Sequence, residues 1–133
     1  METLQTNLRL EDLEAFDLPY TKEQLRGIFL SYDFIGYYLD EKIIGLLIFK
    51  VIADEATLIY IEVLPTHRQQ GIARKMILEY HRLLGTEFTF VLEVSTKNTT
   101  ALALYESLGY RKNRLRTDYY DDSDGWEMIL NDQ

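Results

Sequence analysis

The sequence predicts an α/β (α+β) chain in which a mixed sheet of about six to seven strands is flanked by helices. Three observations carry that expectation. Residues 34–63 hold three runs rich in aromatic and branched side chains, separated by short acidic turns, as an antiparallel meander requires. The amphipathic stretch Gly71 to Leu84 leads into the near-continuous apolar run Phe88 to Val94, a strand, helix, strand order that calls for a crossover helix. A second helical pattern and a final pair of strands close the chain.

Leu4, Thr6, Leu8 and Leu10 alternate as a strand does, while Leu10, Leu13 and Phe16 at three-residue spacing also suit a helix, so two readings of this segment stand. Leu18-Pro19-Tyr20 breaks the pattern. Thr21-Lys22-Glu23-Gln24 matches a capping box and starts a helix to about Leu30, with Leu25, Ile28 and Phe29 as its buried face. Phe34 to Leu39 and Lys42 to Val51 form a hairpin across Asp40-Glu41, and Asp54-Glu55 turns into a strand Thr57 to Val63 that Pro65 ends.

In the helix after Gly71, residues Ile72, Met76, Ile77, Tyr80, Leu83 and Leu84 share one face, and Gly85 supplies the stop. Phe88 to Val94 reads as a strand covered on both faces. Asn98 or Thr99 caps the next helix, which runs to Leu108 with Ala101, Leu102, Tyr105 and Leu108 inward and Gly109 at its end. Tyr110 to Thr117 and Trp126 to Leu130 pair across the acidic turn Asp121 to Gly125.

At 133 residues the chain is the length of a single domain. Twenty-two acidic residues against 14 basic ones leave a net charge of −8, which argues against nucleic-acid and anionic-membrane partners, because both need a basic face. The absence of cysteine removes disulfides, thiolate metal sites and a covalent acyl-cysteine intermediate. With two histidines and no H-E-x-x-H pattern, no metal site is expected. The acidic first twenty residues do not read as a signal peptide, and the longest apolar run, Ile43 to Phe49, is far short of the ~20 residues that span a bilayer. A cytoplasmic protein is expected.

Chemistry concentrates in two places. Arg68-Gln69-Gln70-Gly71-Ile72-Ala73 lies between a strand end and the start of the most regular helix, where free amides and a side-chain-free Gly71 form a cradle suited to a pyrophosphate. Arg68, Arg74 and Lys75 make a basic spot in an acidic chain; an ordinary capped helix with a solvated basic start gives the same letters. Glu93 interrupts an apolar strand near its C-terminal end, where open α/β sheets place ligands. Partial burial raises a carboxylate's pKa and makes it a base for an amine, whereas a glutamate emerging into solvent does neither. Tyr105 is either a core tyrosine or an acid, and Glu62 alternates with Ile61 and Val63 as an exposed residue does.

Taken together, L-I-Y-I-E-V-L-P-T-H-R-Q-Q-G-I-A-R-K-M-I and L-E-V-S-T-K-N-T-T-A-L-A-L-Y-E-S-L-G-Y resemble the GNAT acyltransferase superfamily, and within it the bacterial ribosomal-protein-alanine N-acetyltransferase (RimI) type, over about residues 43–130. The resemblance implies one acetyltransferase domain over 1–133, with its sheet splayed into a V that holds acetyl-CoA. The pyrophosphate is expected at the amides of Gln69, Gln70, Gly71, Ile72, Ala73 and Arg74 beside Arg68, and the pantetheine along the backbone of Ile61 and Val63. Carried over by position, Glu93 matches the general base, Tyr105 the acid that protonates the departing thiolate, and Asn98 a residue beside the cofactor. Tyr20, Tyr119 and Tyr120 fall where the family builds its peptide groove. The chain is shorter than the family before Tyr20 and in its last hairpin, both on the acceptor side.

The function implied is direct acetyl transfer to a primary amine, most naturally the N-terminal α-amine of a protein such as a ribosomal protein. A small-molecule amine acetyltransferase shares every cofactor residue and differs in the groove, and a non-catalytic acyl-CoA-binding module needs neither Glu93 nor Tyr105. Thr117 to Gln133 carries six acidic residues and no basic one, an expected rim for a cationic acceptor.

Overall fold

A computed structural model of the chain describes residues 1–131. The elements are β1 (Glu2–Gln5), α1 (Leu10–Leu13), α2 (Lys22–Ser31), β2 (Asp33–Leu39), β3 (Lys42–Ile52), β4 (Glu55–Val63), α3 (Ile72–Leu84), β5 (Thr89–Ser95), α4 (Thr99–Ser107), β6 (Arg111–Tyr120) and β7 (Ser123–Leu130), with a 3-10 turn at Pro65–His67. The seven strands hydrogen-bond in the order β1-β2-β3-β4-β5-β7-β6. Both β1–β2 and β2–β3 are antiparallel, β4–β5 is parallel, and β5–β7 and β6–β7 are antiparallel. The expected mixed sheet flanked by helices is therefore present. No helix among the described residues is long and apolar enough to cross a membrane.

Contacts divide the chain into two units, residues 1–51 with 59–85, and residues 52–58 with 86 onward. Strand β4 contributes to both. Its first half pairs in parallel with β5 over four residues, and the register stops at Leu58 opposite Leu92.

In the first unit, each reading of the N-terminal segment holds only in part: the strand ends at Gln5, so of the alternating residues it contains Leu4 alone, and a single helical turn holds Leu10 and Leu13 but not Phe16. Leu8, Leu13 and Phe16 pack with Phe34, Tyr38, Leu46 and Ile48 on one side of the β2–β3 hairpin. On α3, Tyr80 stacks on Phe49 with ring centroids 4.7 Å apart, and Met76 stands so close to Gly45 that a Cβ there would lie 3.0 Å from its Cε. A hairpin packed on both faces explains the unbroken apolar run of β3. Asp40 and Glu41 both take positive φ, 49° and 71°, the geometry of a two-residue hairpin turn that matches strand twist.

Thr21 caps α2 as its spacing predicts, accepting from Gln24 N–H at 3.1 Å while the Gln24 side chain accepts from Thr21 N–H at 2.9 Å. Leu25, Ile28 and Phe29 rest on the core but none is fully buried, because α2 lies at the rim of this cluster. On α3, Ile72, Met76, Ile77 and Tyr80 are buried as expected, whereas Leu83 is 41% exposed. Leu84, four residues beyond Tyr80, is half-buried, so the contact face continues along that row and leaves Leu83 to its side.

In the second unit, β5 departs from the expected two-sided burial. Phe90, Leu92 and Val94 are buried, while Thr89, Val91, Glu93 and Ser95 are half-buried on the other side. An apolar run does not reveal how completely each face is covered. Asn98, not Thr99, caps α4, its Oδ1 accepting from Ala101 N–H at 3.2 Å. The last hairpin turns at Asp121-Asp122 alone, so the expected five-residue acidic turn is shorter and Asp124 belongs to β7. Likewise the turn before β4 is Ala53-Asp54, with Ala53 at φ 55°, and Glu55 already lies in the strand.

Candidate active site

The segment between β4 and α3 is built to leave backbone amides free. After Pro65 interrupts the ladder, Gln69 takes φ 64° and Gly71 φ 75°, so the chain enters α3 through two left-handed residues. Gly71 offers no side-chain cap, and a Cβ placed on it would meet nothing within 4 Å. The N-cap of this 13-residue helix therefore makes no side-chain cap bond, and its first turn sits at the positive end of the helix dipole. These are the features a diphosphate requires.

The basic spot is less free than the letters suggest. Arg68 donates Nε–H to the carbonyl of Val63 at 2.9 Å and places Nη2 3.2 Å from Glu62 Oε1. It thus ties the turn to the end of β4, engaging one carbonyl of the strand expected to face pantetheine. Lys75 lies 3.5 Å from Glu2. Glu62 is half-buried and also accepts a hydrogen bond from the Tyr60 hydroxyl, so the expected exposed glutamate is instead part of a network. Burial first, then Glu62, pushes the Tyr60 phenol well above its ordinary range, with Asp17 and Tyr20 adding smaller contributions. Tyr20 lines a groove of about 410 Å³ along α2 with Gln24, Gly27, Ile28, Ser31 and Tyr32.

In the second unit, Glu93 stands on the half-buried side of β5. Arg116 Nε lies 3.0 Å from its Oε1, yet the N–H does not aim along that line; Oε2 is buried and has no hydrogen-bond partner. Desolvation raises the pKa of this carboxyl, opposed by the Arg116 charge and reinforced by Glu127. A carboxylate with an unspent acceptor and a raised pKa is a proton acceptor in waiting.

Tyr105 is 6% exposed on α4, its ring 5.9 Å from that of Tyr110. Burial, and to a lesser degree Tyr120, pushes its phenol up to about 12, so it keeps its proton at neutral pH. Tyr119 and Tyr120 meet edge to face, centroids 5.0 Å apart. Gly125 makes room for them, since a Cβ there would come within 3.0 Å of Tyr119. Asn98 spends its Oδ1 on the α4 cap.

Glu127, expected only as part of the acidic rim, and Arg116 both prove to stand beside Glu93. Their signal was the strand pattern itself, but pairing them with Glu93 requires the register of three strands, and β6 is bulged on both sides of Arg116. Among the described residues no cluster of three or more histidine, aspartate or glutamate side chains is arranged to hold a metal ion.

The model of the acetyltransferase (GNAT) family matches residues 4–110. The ribosomal protein bS18-alanine N-acetyltransferase of Escherichia coli K12 is 38% identical over 92 residues, 67% of this chain and 62% of that protein. The chain thus spans less than two thirds of the curated relative it matches. The crystal structure of the ribosomal-protein-S18-alanine N-acetyltransferase from Escherichia coli superposes with a TM-score of 0.86 at 28% identity, covering 98% of this chain and 93% of that one. The fold also matches Arabidopsis thaliana NAA60 in complex with acetyl-CoA, with a TM-score of 0.82 at 19% identity, covering 98% and 99% of the two chains.

Proposed function

The chain belongs to the acetyltransferase (GNAT) family, and from that membership we propose that it is an acetyl-CoA-dependent N-acetyltransferase acting on the N-terminal α-amine of a protein, in the first instance a ribosomal protein. The two units, which share β4, act in this reading as one domain over residues 1–133, working in the cytoplasm where ribosomes are assembled. The relatives named for the alanine N-terminus of bS18 support the acceptor.

The observation that carries the chemistry is Glu93: a half-buried carboxyl with raised pKa and one oxygen without a partner. Acetyl-CoA supplies the thioester whose acetyl group is transferred. The turn from Gln69 to Arg74, opened by Gly71 at the positive end of α3, holds its pyrophosphate, and the β4 backbone at Ile61 and Val63 lies along its pantetheine. Arg68 steadies that backbone through its bond to the Val63 carbonyl. The acceptor's α-amine, with a free pKa of ~7.7–8, is already partly neutral near pH 7, and Glu93 takes the proton that its nitrogen sheds on attack. The amine attacks the carbonyl carbon as the carbon–sulfur bond breaks. Tyr105, still protonated because its pKa is pushed up to about 12, delivers a proton to the departing sulfur. With no cysteine in the chain, transfer is direct. In the second unit, Tyr119 and Tyr120 contact the acceptor chain.

Incubation with acetyl-CoA and a panel of peptides, polyamines and aminoglycosides, with the added acetyl group located by mass spectrometry, tests the proposal. Acetylation confined to the α-amine of Ala-initiated ribosomal peptides is expected. Acetylated small amines with untouched peptides would replace the acceptor, and binding of acetyl-CoA without thioester consumption would remove the catalytic reading.

A further inference from the structure

Glu93 and Glu127 are direct cross-strand partners of β5 and β7. Two carboxylates so placed repel one another, and a sheet normally avoids the pairing. Here a single guanidinium spans both: Arg116 has Nε 3.0 Å from Glu93 Oε1 and Nη2 3.2 Å from Glu127 Oε2. The two glutamates are nevertheless treated unequally. Glu127 also receives Asn113 Nδ2 at 2.8 Å and Arg114 Nη2 at 3.3 Å. Glu93 receives no aligned N–H from Arg116, and its Oε2 is left bare.

Resting on the acetyltransferase reading, we propose that Glu127 and Arg116 are positioning residues for Glu93: Glu127, saturated with donors, anchors the guanidinium beside one oxygen of Glu93 and leaves the other oxygen open for the acceptor's proton. A purely structural ion-pair cluster would satisfy both carboxylates, since a buried unpaired acceptor costs stability. The observed division instead sets two neighbouring carboxyls apart, one fixed as an anion and one free to change charge. The electrostatics agree in sign. Hydrogen bonding, led by Asn113, lowers the pKa of Glu127, while desolvation raises that of Glu93. The charged and titratable groups acting on Glu93 are Arg114 and Arg116 on β6 and Glu127 on β7, with Tyr120 at the end of β6 sensing the Glu93 charge in turn.

Removing either partner should therefore move the acid limb of kcat/KM, and in opposite directions. Glu127→Gln deletes a negative charge that raises Glu93, so the limb moves to lower pH. Arg116→Gln deletes a positive charge that lowers it, so the limb moves to higher pH, and Arg116→Lys restores the parent position. Each uncharged variant is expected to lose about 10-fold in kcat at pH 7 with KM for acetyl-CoA unchanged. Carbon-13 titration of the Glu93 carboxyl in the same variants gives the shift without any need for turnover, and holds for variants of reduced stability so long as they remain folded. Same-direction shifts, or none, in an active parent overturn the positioning roles and leave the acetyltransferase reading intact. A parent that binds acetyl-CoA but acetylates no amine overturns that reading and the inference with it.

Discussion

The Tyr38 hydroxyl donates to Asp12 Oδ2 at 3.0 Å across 26 residues of chain. Asp12 is the one buried charged residue of the core among those described, 8% exposed, and it also accepts the Arg9 backbone N–H at 2.9 Å. A single-turn helix has little stability of its own, so this carboxylate fastens α1 to β2. Leaving one buried polar partner without the other should cost about 1–3 kcal/mol. Tyr38→Phe and Asp12→Asn, measured singly and together by urea unfolding, should therefore show coupling; additive effects would remove the hydrogen bond from the account of stability.

His81 lies on α3 with its ring 5.6 Å from that of Tyr80. Burial lowers its pKa from 6.5 to about 4. The unfolded chain then binds the proton more readily than the folded one between these values, so this residue's contribution is complete above about pH 6.5 and lost as pH falls towards 4. Melting temperatures of the parent and His81→Gln across that window should diverge, the variant declining less steeply. Parallel curves would show that His81 is protonated as easily folded as unfolded.

Tyr105→Phe keeps the ring that packs the second unit and removes the proton. Turnover should fall by roughly 10²-fold, with affinity for CoA and melting temperature near the parent's. Because the phenol titrates only near 12, the parent should show no alkaline loss of kcat from this group between pH 7 and about pH 10. Full activity in Tyr105→Phe would reduce it to a core tyrosine.

The acidic end of the chain divides by role. Asp124 accepts the Asp118 backbone N–H at 2.8 Å, and its own carbonyl accepts from Thr96 N–H at 2.9 Å, so it shapes the hairpin. Asp121 and Asp122 are exposed at the turn, Asp122 3.9 Å from Lys97; Asp132 lies outside the described residues. Asp121→Asn with Asp122→Asn should raise KM for a basic peptide and flatten its salt dependence while leaving acetyl-CoA kinetics alone, because screening acts over ~8–10 Å. Unchanged peptide kinetics at low salt would leave the pair as a solvated turn.

Features set within a few residues of chain were legible in the letters. The Thr21–Gln24 capping box, the Asp40-Glu41 turn, the start of α3 after Gly71 and the placement of Glu93 on a strand and Tyr105 on a helix all follow from local backbone chemistry, which the neighbouring residues largely decide. The repeated apolar spacing of α3 likewise named Met76, Ile77 and Tyr80 as its buried face. What lay beyond reach depends on distance in space. The bond of Asp12 to Tyr38 and the bridge from Glu93 through Arg116 to Glu127 arise only when separate strands and turns take one register. In β6 that register shifts on both sides of Arg116, so no count along the chain places its guanidinium. The sequence alone therefore determined that Glu93 lies on a strand and Tyr105 on a helix, and the tertiary structure decided which of two facing glutamates receives three donors and which keeps an oxygen free.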